Sequence, residues 1–390
     1  MPSSLRPLTR RHAIRLAAVS IPALAIAIPA WRLTHPVFTL RDVEAAVLTG
    51  RLPDARRMCE AITASDPANG PAWFRLGQLC EELSDFDAGA TAFERAVETG
   101  ADRTTARKRL GFCLLQSGLY GRAETMFREL LQVTPDDEAI QTELQWLLFN
   151  QLRERELESF LEEQLKREPA SFRILQHLLL SSQRRPNPRE AIRLLEAIQK
   201  AKPGQPEIEL ALGHCCWKLG RLAEANRLLH EAGWRRPDHA ETTLLLASFQ
   251  LEQGRLTDAD RLLTSLKPSL TTDDRWWWLT AQWQQRSGMT TEALSSLAKA
   301  IELRPGEMRY HHTLATWLQA ARRNDEARQH HELARALSQA DRDLYVIVSR
   351  DRIAPDHAEV CRAISECCRI LQRKAQAEGW RMLSEATGRR

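Results

Sequence analysis

Between Leu110 and Pro135 the apolar positions fall three and four apart, stop at a glycine, and resume at the same spacing: Leu110, Gly111 and Leu114, then Gly118, then Ala123, Phe127 and Leu130. Each set lies on one face of a helix, so the stretch predicts two amphipathic helices joined by a turn at Gly118. Pro135 stops the second helix, because proline lacks an amide hydrogen and crowds the preceding turn. Asp136 and Asp137 suit the positive start of a further helix.

The rest of the chain repeats this hairpin. A step of 34 residues from Ala123 lands on Ala55 and Gly89 in one direction, and on Leu157, Ala191, Ala225, Ala259, Ala293 and Ala327 in the other. The same step from Pro135 reaches Pro67, Pro169, Pro203, Pro237 and Pro305, and misses at Ala101, Thr271 and Gln339. Residues 36–341 therefore divide into nine units of 34 residues, each a helix pair. Gly77, Gly111, Gly213, Ala247, Ala281 and Ala315 place a small residue where the first helix meets the second, since a larger side chain pushes the axes apart. The register breaks after Asp341. Residues 342–390 hold an insertion and one more hairpin, with Ile364, Cys368, Ala377 and Met382 as its apolar signature. Ala377 lies 50 residues from Ala327, one repeat plus 16. This offset hairpin is expected to cap the stack, with Arg369, Gln372, Arg373, Lys374, Gln376 and Glu378 as its polar outer face.

The sequence resembles the tetratricopeptide repeat (TPR) family. Its tryptophan, leucine-glycine, tyrosine, alanine, phenylalanine, alanine and proline pattern is matched by Trp73, Leu76, Gly77, Cys80, Gly89, Phe93 and Ala96. Leu212, Gly213, Cys216, Gly220, Ala225, Leu229, Ala232 and Pro237 make a later copy, and Trp277, Ala281, Gly288, Ala293, Leu297, Ala300 and Pro305 another. The resemblance implies an all-α TPR solenoid, a right-handed superhelix of antiparallel helix pairs whose first helices line a concave groove. A pentatricopeptide array, which reads RNA, has a near-equal period but a different pattern. Gln145, Leu152 and Leu157 stand where small or turn residues are usual, and Pro186 and Pro188 lie in the following turn. The solenoid is therefore expected to bend between about residues 145 and 190.

The groove lining implied by the resemblance is Phe74, Phe112, Trp146, Phe149, Leu180, Trp217, Leu244 and Trp278, interleaved with Lys108, His214, Lys218, Arg286 and His312. Flat apolar contacts with cationic heads between them suit an extended peptide or an amphipathic helix with some acidic character. The paired asparagines of the family's carboxylate clamp are missing, so a chaperone-tail receptor is not expected.

Composition changes this picture little. Eleven tryptophans are conspicuous, and 55 basic against 51 acidic residues alternate along the chain as solvated helix faces, implying no nucleic-acid partner. Eight cysteines form no CxxC pair and read mostly as small core residues. Three clusters are candidates for chemistry. Trp276, Trp277 and Trp278 cannot all face one way; the expectation is Trp277 in the core, Trp278 as a partner contact and Trp276 at the surface. His311 and His312 face His330 and His331 across the last regular hairpin, where His311 and His331 are the weak metal candidates, with no acidic third ligand spaced to join them. Cys361, Cys367 and Cys368 read as core. No phosphate loop, nucleophile elbow or zinc-protease motif occurs, and the repeats leave no room for a separate catalytic domain, so neither enzyme activity nor a cofactor is expected.

Residues 1–35 are of another kind. Arg6, Arg10, Arg11 and Arg15 precede an uncharged apolar run from Leu16 to Trp31, the pattern of an export signal or a single-pass membrane anchor. The arginine bias predicts an inside N-terminus and repeats on the extracytoplasmic, periplasmic side; export with cleavage is the alternative. Thr9 to Arg15 also resembles a loose twin-arginine signal with Ala13 in place of the bulky apolar residue. The expected function is a membrane-tethered scaffold that binds protein or peptide segments, in envelope assembly, export or biogenesis. An exported metal or small-ligand binding protein using the histidine hairpin is the alternative.

Overall fold

A computed structural model describes residues 38–183, 187–266, 271–350 and 353–387. The basic and apolar N-terminal segment lies outside the described residues; among those described, no helix is long and apolar enough to cross a membrane.

The fold is an all-α solenoid of hairpins, with no strand among the described residues. In chain order the helix pairs are α1 (Leu40–Leu48) and α2 (Leu52–Ser65), α3 (Gly70–Glu82) and α4 (Phe86–Glu98), α5 (Arg103–Gln116) and α6 (Tyr120–Val133), α7 (Glu138–Asn150) and α8 (Glu154–Arg167). They continue as α9 (Phe172–Gln183) and α10 (Pro188–Ala201), α11 (Pro206–Lys218) and α12 (Leu222–Arg235), α13 (Ala240–Glu252) and α14 (Leu256–Leu266). The last are α15 (Asp274–Arg286) and α16 (Thr290–Leu303), α17 (Met308–Ala320) and α18 (Asn324–Arg350), α19 (Ala358–Ile370) and α20 (Lys374–Thr387). Second helices begin at Phe86, Tyr120, Glu154, Pro188, Leu222, Leu256, Thr290 and Asn324, each 34 residues after the last.

The recurring residues act as close-packing devices. A Cβ on Gly77 would stand 2.7 Å from the Phe93 ring, one on Gly111 2.5 Å from Phe127, and one on Gly213 2.8 Å from Leu229, so only glycine lets these helix pairs close. At the turn, Gly118 has φ +74°, a conformation that L side chains resist, and the same place is held by Ser84 at +59° and Leu152 at +58°. In three units a ring in one column ties the hairpin to the one before. The ring N–H of Trp73 donates to the Pro67 carbonyl and that of Trp277 to the Thr271 carbonyl, each at 2.9 Å, and His311 Nε2 meets the Pro305 carbonyl at the same distance.

The described residues fall into two compact units, one of residues 38–117 and 125–135, the other of 118–124 and 136–387. In the first, Val43, Ala46, Cys59, Leu76, Leu79 and Cys80 form a continuous core between successive hairpins.

The second unit folds back on itself. Gln205 Nε2 donates to the Gly118 carbonyl at 2.8 Å while Gln205 Oε1 accepts from the Tyr120 amide at 3.0 Å. Arg155 reaches Asp274 at 2.6 Å, the Tyr310 hydroxyl donates to the same carboxylate at 2.7 Å, and Arg304 grips Glu158 at 2.8 Å. Burial raises the pKa of Glu158 above the usual carboxylate range, partly offset by Arg155. The closing hairpin also lands here. The 16-residue offset is absorbed largely by α18, which runs 27 residues where other second helices run 14 or fewer. Beyond it, Trp380 is fully buried and meets Phe172 edge-on at 5.9 Å. Gly379 lies against the Pro169 carbonyl and Gly306 against that of Leu371. The polar face expected on this hairpin is partly a contact face: Arg373 donates to Ser182 Oγ at 3.1 Å, and Gln376 is buried. In the same unit α11 and α13 are enclosed nearly all round, burying Ile208, Leu210, Leu212 and Cys215 of one and Thr242, Leu244, Leu246 and Phe249 of the other.

Candidate functional site

Two neighbouring hairpins in the second unit depart from the packing rule, with Gln145 on α7 and Leu179 on α9 in the small-residue column. Gln145 occupies the column of Gly77, Gly111 and Gly213, and its opposite number across the pair is Leu161, where Phe93, Phe127 and Leu229 stand elsewhere. A glutamine cannot make a glycine's close approach, so α7 and α8 stand apart. Thr142 takes the column that holds Phe74 and Trp278, so the bulky side chain that fills this place in those units is missing.

The outcome is an open cavity of about 290 Å³ between α7, α8 and α9. Its walls follow helical spacing: Thr142, Gln145, Trp146 and Phe149 from α7, Leu157 and Leu161 from α8, and His177, Leu180 and Ser181 from α9. No charged side chain lines it. Trp146 is 39% exposed and meets Tyr120 edge-on at 5.8 Å. Gln145 is only 8% exposed; its Oε1 lies 2.6 Å from His177 Nδ1, and its Nε2 has no partner. Burial and the Arg173 charge lower the His177 pKa, keeping the ring neutral. A neutral ring donating from Nδ1 to Gln145 Oε1 leaves its other nitrogen an acceptor.

Of the residues expected in a groove, the cavity brings together Trp146, Phe149 and Leu180. The others are apart from it. In the first unit Phe74 is half-buried against Phe93 at 5.5 Å, Phe112 against Phe127 at 5.6 Å, and Lys108 is half-buried on the same helix as Phe112. Trp217 is 9% exposed: it packs edge-on to Phe249 at 5.6 Å and its Nε1–H donates to Glu252 at 2.9 Å, so the ring seals neighbouring hairpins and does not offer a free face. Exposed Lys218 sets its ammonium 5.0 Å over that ring. Leu244 is buried, and His214 is held neutral by burial and by Lys218, its pKa lowered to about 4.

The tryptophan run is a correction. Trp276, expected at the surface, is the buried member at 4% exposure, its Nε1–H on the Leu263 carbonyl at 2.9 Å. Trp277 and Trp278 are half-buried, Trp278 stacked on Tyr310 at 4.9 Å. The signal was present: the 34-residue column of Trp276 holds Ala72, Ala106, Ile140, Ile174, Ile208, Thr242 and Tyr310, every one buried. The histidines are corrected in pairing. His311 Nδ1 lies 3.0 Å from His330 Nδ1, and His331 faces His312 at 6.0 Å between rings. With Nε2 on the Pro305 carbonyl and Nδ1 on His330, both His311 nitrogens are engaged, and among the described residues no three histidine, cysteine or acidic groups converge as a metal cage. Cys361, Cys367 and Cys368 are buried free thiols, Cys368 pushed up to about 12 by burial.

A tetratricopeptide repeat model matches residues 81–147, 186–238 and 220–282, and a second model of the same repeat matches 43–104. Together they take in just over half of the 390 residues. Among solved structures the chain is similar to MamA 41-end from Desulfovibrio magneticus RS-1, at 20% identity and a TM-score of 0.35 over 43% of this chain and 96% of that one. It is also similar to MamA AMB-1, at 23% identity and a TM-score of 0.34 over 39% and 90%. Likeness of that size concerns the repeat and says nothing of a partner. No curated protein matches the sequence.

Proposed function

We infer, from the premise that this chain belongs to the tetratricopeptide repeat family, that it is a protein-interaction scaffold whose second unit holds a partner segment at the mouth of the α7–α9 cavity. The observation that carries this is Trp146, a large ring more than a third exposed at 39% beside an open apolar cavity. Half-buried Phe149 and Leu180 extend the apolar contact inward. In the first unit, Phe74, Lys108 and Phe112 are half-buried on first helices and are proposed as a further contact stripe.

No reaction is assigned, since the role rests on surface and not on a constellation of nucleophile, base and oxyanion donors. The arginine-led apolar run of 16–31 is the reason to propose that the scaffold is tethered to a membrane, with its repeats on the extracytoplasmic side. An envelope assembly or export role follows from that placement. Proximity labelling from the C-terminus in living cells tests compartment and neighbours together. Trp146→Ala is expected to lower labelling of the principal neighbour at least fivefold with helicity unchanged. Equal labelling by the variant removes this site, and labelling confined to cytoplasmic proteins removes the tether.

A further inference from the structure

We propose that the α7–α9 cavity is a side-chain socket: it takes one bulky, uncharged apolar residue of the partner polypeptide, an aromatic one by preference, with His177 as the acceptor for an indole N–H. The proposal rests on the scaffold reading above and names what the site recognises.

Three features of the socket choose the occupant. The first is size. The cavity of about 290 Å³ is roughly twice the ~150 Å³ engineered cavity known to hold benzene, so it suits an indole or a phenyl group with its methylene. The second is the wall. Trp146, Phe149, Leu157, Leu161 and Leu180 offer apolar and aromatic surface, and with no charged lining residue an ammonium or carboxylate would be buried unpaired. The third is the polar group. His177 lines the cavity with its Nδ1 engaged on Gln145 Oε1, so its other nitrogen is a matching acceptor for an indole N–H, and a plain hydrocarbon leaves it unused.

The repeat itself provides the control. Thr142 is exposed and stands in the column of Phe74, so Thr142→Phe places there a side chain that the fold already accommodates in another unit, and directs it at the cavity. The test is a titration of the full chain by ligand-observed NMR with N-acetyl-tryptophanamide, N-acetyl-leucinamide, N-acetyl-lysinamide and N-acetyl-glutamate amide. Expected is saturable binding of the tryptophan probe, at least fivefold weaker binding of the leucine probe, and no saturation by the charged ones. Thr142→Phe should abolish binding of the tryptophan probe, and Gln145→Leu should weaken it about tenfold. Ser181→Phe is the second blocking variant should Thr142→Phe fail to fold, and the circular dichroism melt of each variant is measured alongside. Equal binding of the lysine or glutamate probe, or tryptophan binding that survives a folded blocking variant, overturns the proposal. Neighbour labelling retained by a blocking variant that has lost the probe also overturns it, while leaving the scaffold reading intact. Loss of labelling already in wild type, with the probe still bound, counts against the scaffold reading.

Discussion

Residues that break the repeat's local rules are the informative ones. Ser84 is exposed and takes φ +59° at a turn where Gly118, Gly220, Gly254 and Gly288 take the same conformation without a Cβ. Ser84→Gly is therefore expected to raise stability by about 1 kcal/mol, read as a higher denaturant midpoint with an unchanged slope. Leu152 at +58° is a different case, because its side chain is buried and glycine there would leave a void. Most of this scale was legible beforehand. The phase of Gly77, Gly111 and Gly213 predicts a close helix approach, and a ring lies within 3 Å of the absent Cβ in two of those three positions. The burial of Trp276 runs against the expectation because the family slot at Trp277 does not reveal that the column one residue earlier, mostly apolar, is the one buried in every unit from Ala72 to Tyr310.

At the scale of the element, several helices of the second unit carry histidines whose neutral form the fold prefers. His214 on α11 has its pKa lowered to about 4 by burial and then by Lys218, and burial also lowers His177 on α9 and His330 on α18, where His311 adds to the effect. The unfolded chain takes up these protons near pH 6.5, whereas the folded chain resists until lower pH. Stability is thus full above pH 6.5 and falls as pH drops toward 4, with His214 alone contributing roughly 2 to 3 kcal/mol across that window. Urea midpoints measured from pH 7.5 to 4.5 should decline, and His214→Phe should flatten the decline. A slope unchanged by the variant would place the titration elsewhere. The α18 helix shows how an insertion is accommodated: its residues extend a helix that already exists, so the next hairpin keeps its own internal spacing.

At the scale of the molecule, each unit stands on its own core, and the second adds contacts between residues far apart in sequence. Trp380 on α20 meets Phe172 on α9, and Arg155 on α8 meets Asp274 on α15. Trp380→Ala is expected to cost about 3 to 5 kcal/mol. Its distinguishing readout is hydrogen exchange: protection should fall in residues 172–183 and 374–387 together. Loss confined to the last hairpin would mean that the two regions do not support each other.

The period of 34, the hairpin turns, the small residues and the class of fold were all in the sequence, because each helix packs on its immediate neighbours and neighbours in space are neighbours along the chain. Which faces stay open was decided only in three dimensions. Trp217 and Trp146 look alike as aromatic positions on first helices, yet one is sealed against Phe249 and Glu252 and the other stands at a cavity mouth. Trp217 is closed off by the next hairpin, whereas Trp146 borders the gap that Gln145 and Thr142 leave together. A 34-residue period does not report such a gap, because it arises from sums of side-chain volume, and it does not report contacts more than 100 residues apart such as Arg155 with Asp274.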